Sequence, residues 1–265
     1  MAGIFKSPFG AKGAKEWFFD IITHQNDFKI GPDSVIKHYG SARTRAGHRM
    51  VTLVPLMTYE HSSPYERCSN EEYVLRYLSG MGVPVPRVIG CGPDYLEMNK
   101  IEGLPLSKVY PNPNVSREDK LQITSNAGEL VRKMHDAGIV HGDLFARQIM
   151  VECPELEDGK LPENLGESKL HLIDFELVPK KFGPEGRAID NIFYTLTASC
   201  YSGIPFREVR SKYEEGYGSG VDSSFFDQAL QANTCFMALG ISPRSMSGNY
   251  WAMRGDFLSE RAAGI

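Results

Sequence analysis

The sequence predicts an α+β fold in two parts: a small, mainly antiparallel sheet with one helix, then a mainly helical part. Three observations support this: strand-forming, turn-rich stretches over residues 1–40, helical spacing of apolar residues over 117–136, and short apolar runs that each lead to an aspartate. With 265 residues, 42% of them hydrophobic, the chain is long enough for one large domain or a two-lobed one.

The central stretch is IVHGDLFARQIMV, residues 139–151, in which Asp143 lies between two apolar runs. Both runs, Ile139-Val140 and Ile149 to Val151, are predicted to be short buried strands. A second aspartate, Asp174, follows the apolar run LHLI. Two carboxylates at neighbouring strand ends suit phosphoryl transfer, because one can accept the proton of an attacking hydroxyl and the other can hold Mg²⁺. Either motif alone is weak, but their order and separation together carry the prediction.

The N-terminal part begins with Gly10 and Gly13, just before an aromatic run predicted as a strand over residues 17–22. Glycines permit a tight turn whose N–H groups approach phosphates closely, although an ordinary turn explains the same pattern. The next predicted strand, residues 34–39, carries Lys37. A lysine in this setting is either solvated or placed for phosphate contact.

A helix is predicted to follow, with Ser69 as its N-cap and Glu72 at the capping-box position. Two X-Pro steps after Gly82 end this helix, and residues 95–103 form the next strand. Further helices are predicted at 117–136, around Phe206 to Tyr217 and around Ser223 to Leu239. His135 and His141 are predicted to be structural.

Composition and charge argue against some classes of function. A formal net charge of -4 and a pI near 6.0 argue against direct nucleic-acid binding. The five cysteines are scattered and odd in number, which is typical of reduced thiols in a cytoplasmic protein. No signal peptide or apolar run of ~18 residues is present, so no membrane span is expected, while peripheral contact with the inner membrane stays open.

The motifs around the two aspartates resemble a known family. HGDL with an amide at Gln148, followed by IDFE, resembles the catalytic loop and metal-binding segment of protein-kinase-like enzymes. The pattern G-x-x-G-x-x-x-WFF with VIKHYGSA resembles the Kdo and heptose kinases of lipopolysaccharide core assembly. HGDL, VPVPRVIG, MNKIEG and RAIDNIFYTL are similar to the small kinase of the KEOPS complex and to RIO kinases. The resemblance implies a two-lobed protein-kinase-like fold, with an N-lobe over 1–103 and a C-lobe over 104–265.

The resemblance implies ATP and Mg²⁺ as cofactors and assigns roles to the residues that match. Asp143 would orient or deprotonate the acceptor hydroxyl, and Asp174 would bind Mg²⁺. Gln148 stands where a second metal ligand is found, and its amide oxygen can coordinate although its side chain is one methylene longer than that of asparagine. The nucleotide would be held by the turn at Gly10 and Gly13, by Lys37 with Glu71 as its partner and Glu72 in reserve, and by a hinge comprising Met98, Asn99 and Ile101.

The chain also departs from ordinary protein kinases. Glu176 replaces the glycine of D-F-G and brings a charge that either helps to bind Mg²⁺ or is solvated. Gly142 replaces the arginine that reads a phosphorylated activation loop, so we expect activity without such phosphorylation. Only 15 residues separate Asp174 from Asp190, with no A-P-E-like anchor.

The function expected from these motifs is ATP-dependent transfer of the γ-phosphoryl group to a hydroxyl. The favoured acceptor is a sugar of lipopolysaccharide core, on a glycan or glycolipid, with a protein acceptor as the other choice. Two alternatives stay open. One is a KEOPS- or RIO-like protein kinase or ATPase acting in a complex, and the other is a nucleotide-binding pseudokinase, which the residues at Gln148 and Glu176 would favour.

Overall fold

The structure, a computed structural model, describes residues 26–40, 63–153, 161–162, 164–176 and 184–218. The strands are β1 (Asp27–Ile30), β2 (Ser34–His38), β3 (Val88–Cys91), β4 (Tyr95–Asn99), β5 (Gly103–Pro105), β6 (Ile149–Glu152) and β7 (Leu170–Leu172). The helices are α1 (Pro64–Gly80), α2 (Leu106–Val109), α3 (Arg117–Asp136), α4 (Pro184–Ser202) and α5 (Phe206–Tyr217). The expected strand at 17–22, the helix at 223–239, and Gly10 and Gly13 lie outside the described residues.

The first sheet has four antiparallel strands in the order β1-β2-β4-β3. Strand β2 is central, and Lys37 stands opposite Phe28 on one side and Leu96 on the other. Lys37 is only 1% exposed, although it is charged. Because successive side chains on a strand point to opposite faces, Lys37 lies on the covered face of this sheet.

Helix α1 begins earlier than the sequence predicted. Ser63, and not Ser69, is the N-cap, and Ser63 and Glu66 form the complete capping box. The stretch over residues 63–72 contains the S-x-x-E pattern twice, and the first copy also has Pro64 at the first helical position, where proline is favoured. The prediction with Ser69 was therefore wrong, and the added turns bring Arg67 and Cys68 into the helix as buried residues.

The second sheet has three antiparallel strands in the order β5-β6-β7. Strands β6 and β7 carry the apolar runs predicted at Ile149 and Leu170. The run Ile139-Val140 is buried as predicted but pairs with no strand. Ile139 N instead donates to Met134 O, which closes the end of α3. The approach to the HGDL loop is therefore a helix exit and not a strand.

Helices α3 and α5 cross at glycines. A Cβ atom built on Gly128 of α3 would lie 2.3 Å from the carbonyl oxygen of Tyr213, and one built on Gly216 of α5 would lie 1.8 Å from that of Ser125. Neither carbonyl oxygen can move away from an added Cβ atom, because both are backbone atoms of a helix. Glycine at these two positions is what allows the helix backbones to approach so closely.

Replacing Gly128 by alanine is expected to lower the free energy of unfolding by about 1–3 kcal/mol through overpacking, in spite of alanine's better helix propensity. Urea unfolding followed by circular dichroism measures this loss. The matched control is Gly80→Ala at the end of α1, where nothing lies within 4 Å of the added atom. Equal stabilities for the two variants would contradict the close crossing.

Within the described part of the chain, no helix has both the length and the apolar character that a bilayer crossing requires. The four cysteines described there are free thiols.

Candidate active site

Lys37 is the centre of a buried charge cluster. Its Nζ lies 2.6 Å from Glu71 Oε2, 2.5 Å from Asp174 Oδ1 and 3.4 Å from Glu176 Oε2. Burial alone would lower the pKa of Lys37, but the three carboxylates outweigh burial and hold it well above its ordinary value. Lys37 is thus a permanent cation that joins the sheet, helix α1 and the segment after β7.

Glu71, and not Glu72, is the helix residue that meets Lys37. Its Oε2 also accepts a hydrogen bond from Tyr39 OH at 2.6 Å, and its Oε1 accepts from the backbone N–H of Phe175 at 3.1 Å. Burial raises the pKa of Glu71, while the neighbouring Lys37 ammonium opposes the rise. Glu72 points elsewhere and pairs with Arg76 one turn along α1. The choice of Glu71 over Glu72 was therefore correct in geometry.

Asp174 occupies a strained backbone position next to this cluster. Its φ is +68°, in the left-handed region that non-glycine residues rarely adopt. Burial raises the pKa of Asp174, but the charge and hydrogen bond of Lys37 outweigh burial and bring it to about 2. Its side chain keeps 34% exposure, far more than Glu71 or Glu176. An ionised, accessible carboxylate is what a magnesium ion needs from the protein.

Glu176 belongs to the same cluster and is neither solvated nor facing outward. Its Oε2 accepts from Asn26 Nδ2 at 2.6 Å and lies 3.5 Å from Arg67 Nη1. Arg67 is 2% exposed, and its guanidinium lies 5.6 Å from the centre of the Tyr39 ring. The extra carboxylate is therefore balanced by an extra buried cation from α1. Sequence reasoning missed Arg67, since nothing local distinguishes it from a solvated arginine.

Asp143 lies in the loop between α3 and β6, and its side chain is 19% exposed. Its N–H donates to His141 Nδ1 at 3.4 Å, and His141 Nε2 lies 2.9 Å from Ile173 O. His141 thus links this loop to the segment leading into Asp174, which agrees with its predicted structural role. Burial raises the pKa of Asp143 to about 6, and the positive charge of Arg147 limits the rise.

Gln148 is buried beside Asp143, 3.4 Å from its Oδ2. With the amide oriented to satisfy both of its polar atoms, Oε1 accepts from Arg147 Nε at 2.9 Å and Nε2 donates to Phe145 O at 3.3 Å. Arg147 also donates to Asp143 Oδ2 at 3.2 Å. Two residues predicted for the reaction, Asp143 and Gln148, thus share one arginine that the sequence reasoning did not use.

Helix α4 fixes the backbone of this loop through Asp190. The Asp190 carboxylate is fully buried and accepts from His141 N at 2.6 Å and from Gly142 N at 2.8 Å. It also meets His135 Nε2 at 3.2 Å, so His135 is a structural residue as predicted. Further along α4, Thr197 Oγ1 accepts from Ala146 N at 2.9 Å. The sequence analysis used Asp190 only for its distance from Asp174 and missed this role.

A cavity of about 320 Å³ opens beside Lys37 and Asp174. The predicted hinge residues Met98, Asn99 and Ile101 line it, and so do apolar residues that sequence reasoning missed. The lining also includes Phe28, Ile30, Val35, Pro86, Met150 and Ile173. A mainly apolar space that is also lined by a lysine and a carboxylate suits a nucleotide, whose base is flat and apolar and whose phosphates are charged.

A solved structure titled WaaP in complex with acyl carrier protein resembles this chain with a TM-score of 0.54 and 14% identity, covering 83% of this chain and 87% of that one. The predicted two-lobed, protein-kinase-like α+β fold is thereby confirmed. Fold and site together define a kinase-like phosphotransferase. The model of the Lipopolysaccharide kinase (Kdo/WaaP) family matches residues 48–201, and the chain belongs to this family. Membership of this kinase family bears out the predicted class of enzyme, an ATP-dependent kinase.

Two curated relatives are also similar to part of the chain. The EKC/KEOPS complex subunit BUD32 of Encephalitozoon cuniculi is 28% identical over 142 residues, which cover 54% of this chain and 62% of that protein. A probable bifunctional tRNA threonylcarbamoyladenosine biosynthesis protein of Methanosarcina acetivorans is 29% identical over 155 residues, which cover 58% of this chain and 24% of that protein. The chain thus spans less than two thirds of either relative, and the predicted similarity to the KEOPS kinase is confirmed.

Proposed function

We propose that this kinase transfers the γ-phosphoryl group of ATP to a sugar hydroxyl, on a glycan or glycolipid of the lipopolysaccharide-core type. The observation that carries the proposal is the family match over residues 48–201, which includes the Asp143 loop and the carboxylates of the charge cluster, Glu71, Asp174 and Glu176. The resemblance of the pattern G-x-x-G-x-x-x-WFF with VIKHYGSA to the Kdo and heptose kinases also supports it.

In the proposed reaction, Asp143 contacts the acceptor hydroxyl. The hydroxyl oxygen attacks the γ-phosphorus, the bond to the β–γ bridging oxygen breaks, and ADP leaves with that oxygen. The hydroxyl proton passes to the Asp143 carboxylate, whose pKa of about 6 leaves it mostly ionised at neutral pH yet basic enough to accept a proton. Lys37, fixed by Glu71, would contact the α- and β-phosphates.

The residues present fit a magnesium ion. Asp174, Glu71 and Glu176 place carboxylate oxygens within 4.8 Å of one another, but the side chains of the two glutamates are buried, whereas that of Asp174 is 34% exposed. Asp174 is therefore the protein ligand that we propose, with phosphate oxygens and water completing the shell. When bound, Mg²⁺ neutralises charge on the β- and γ-phosphates.

The adenine would lie in the apolar part of the cavity. The N–H groups of Asn99 and Lys100 already donate to Arg87 O and Asp33 O, both at 3.0 Å. The next donor along the hinge, the N–H of Ile101, is the one that we propose for the base. The side chain of Asn99 is engaged with Arg87 N and Lys100 O, so it shapes the hinge.

The second candidate is a protein kinase or ATPase that works within a complex. The similarity to BUD32 over about half of the chain favours it. The phosphate-handling residues would be the same, and only the acceptor would differ.

The acceptor test mixes purified protein, γ-labelled ATP and Mg²⁺ with a panel of lipopolysaccharide-core oligosaccharides. Label on a sugar is the expected result, and Asp174→Asn serves as the control for a contaminating kinase. Label only on protein, or free phosphate at the same rate with and without sugars, would replace the sugar proposal by the second candidate. Nucleotide binding with no movement of label would indicate a pseudokinase.

A further inference from the structure

Arg147 is a charged residue of the Asp143 loop, and the proposed reaction assigns no role to its charge. Its side chain is 43% exposed, so it is not a structural cation like Arg67. Yet it is held in one place by three contacts. Its Nη2 donates to Asp143 Oδ2 at 3.2 Å, and its Nε donates to the Gln148 amide oxygen at 2.9 Å.

The third contact is an aromatic platform. The Arg147 guanidinium lies 4.8 Å from the centre of the Phe145 ring. Phe145 in turn stacks on Phe193 of α4, with ring centres 4.9 Å apart and planes only 8° from parallel. Stacking of a guanidinium on an aromatic face is favourable and fixes its plane. The cation is thus built on the helix that also holds the loop backbone.

Phosphoryl transfer needs positive charge on both sides of the γ-phosphoryl group, because negative charge is spread over its oxygens in the transition state. Lys37, together with the metal ion that Asp174 would hold, would serve the side facing the α- and β-phosphates. On the acceptor side, Arg147 provides a positive charge next to Asp143. Its partner Gln148 stands where a second metal ligand is expected, but the amide oxygen already accepts from the arginine.

We propose that Arg147 is a further catalytic residue, which binds the oxygens of the transferring phosphoryl group and takes the place of a second metal ion. Gln148 and Phe145 are positioning residues that aim its guanidinium. A planar guanidinium can bind two phosphoryl oxygens at once, while a lysine offers a single point charge. No bond to Arg147 forms or breaks: the acceptor oxygen displaces ADP at phosphorus, and the proton goes to Asp143. The inference rests on the proposed role of Asp143 but not on the identity of the acceptor.

The test measures the affinity for ADP and Mg²⁺ with and without aluminium fluoride, which mimics the phosphoryl group in the transition state of transfer. Wild type is expected to bind ADP at least about 10²-fold more tightly when aluminium fluoride is present. Arg147→Ala is expected to bind ADP alone normally. Its tightening by aluminium fluoride should be weaker by about 10²–10³-fold, which is the usual contribution of one hydrogen-bond donor to the transition state. Arg147→Lys should lose less, and methylguanidinium added to Arg147→Ala should restore part of the tightening.

Arg117→Ala is the matched control, since Arg117 is a similarly exposed arginine that pairs with Glu208 away from the site. Undiminished tightening in Arg147→Ala would overturn the inference and leave the kinase site intact. Weaker binding of ADP alone, with tightening preserved, would also overturn it, since that pattern reports a structural role. If wild type itself shows no tightening, the proposed transfer at this site fails together with the inference.

Discussion

Replacing Asp143 by asparagine is expected to lower kcat by about 10²–10⁴-fold, the usual contribution of a positioned general base. Asparagine keeps the shape of the side chain and can still accept from Arg147, but its amide cannot take the proton of the acceptor hydroxyl. ATP affinity should be unchanged, because Asp143 does not line the cavity that Lys37 and Asp174 share. Steady-state transfer of labelled phosphate and equilibrium titration with ATP measure the two quantities separately.

The matched control for this variant is Asp136→Asn at the end of α3, where the carboxylate is exposed and pairs with Arg132. It should leave kcat unchanged. A fall of less than about tenfold in Asp143→Asn would mean that the carboxylate only orients the hydroxyl. A parallel loss of ATP affinity would instead show that the site has been disturbed as a whole.

The second large effect is expected on stability, from Arg67→Met. Arg67 and Glu176 are both buried, with side chains 2% and 6% exposed. Removing the arginine takes away a cation that lies beside the Glu176 carboxylate. Lys37 also lies beside it, but Lys37 is shared with the carboxylates of Glu71 and Asp174. The loss of one partner from a buried ion pair costs about 3–5 kcal/mol, and we expect urea unfolding to show a fall of this size.

A double-mutant cycle separates charge balance from lost packing. Glu176→Gln alone leaves Arg67 unbalanced, whereas the pair Arg67→Met with Glu176→Gln leaves neither charge. The double variant should therefore lose less than the sum of the single losses, by about 0.5–3 kcal/mol. Arg76→Met on the same helix, whose exposed pair with Glu72 is worth about 0–1 kcal/mol, is the control. Strict additivity in the cycle would mean that Arg67 and Glu176 do not interact.

Local pattern was enough to predict much of the fold and several of the residues that meet at the site. The spacing of apolar residues predicted α3 with the bounds that the structure shows, because an amphipathic helix records its buried face directly in the sequence. The resemblance to protein-kinase-like enzymes paired Lys37 with Glu71, and the structure brings the two side chains together. The start of α1 was wrong because two capping patterns competed and the proline at position 64 was not weighed.

The missed contacts are long-range ones. Arg67 and Glu176 are 109 positions apart, and Asp190 is 49 positions from His141. Neither pair has a local signature, since a charged residue in a helix reads as solvated unless its partner is known. One signal was present for α4: Asp190, Phe193 and Thr197 recur at helical spacing, and all three polar or aromatic side chains are buried.

That spacing on α4 has a consequence for transplanting this chemistry. One face of the helix and one loop run side by side. Asp190 contacts His141 and Gly142, Phe193 contacts Phe145, and Thr197 contacts Ala146. Inserting a single residue between positions 190 and 197 would rotate half of that face by about 100° and detach half of the loop. Loop 141–148 and helix segment 190–197 are therefore a single exchangeable module, and a chimera that borrows one must borrow the other.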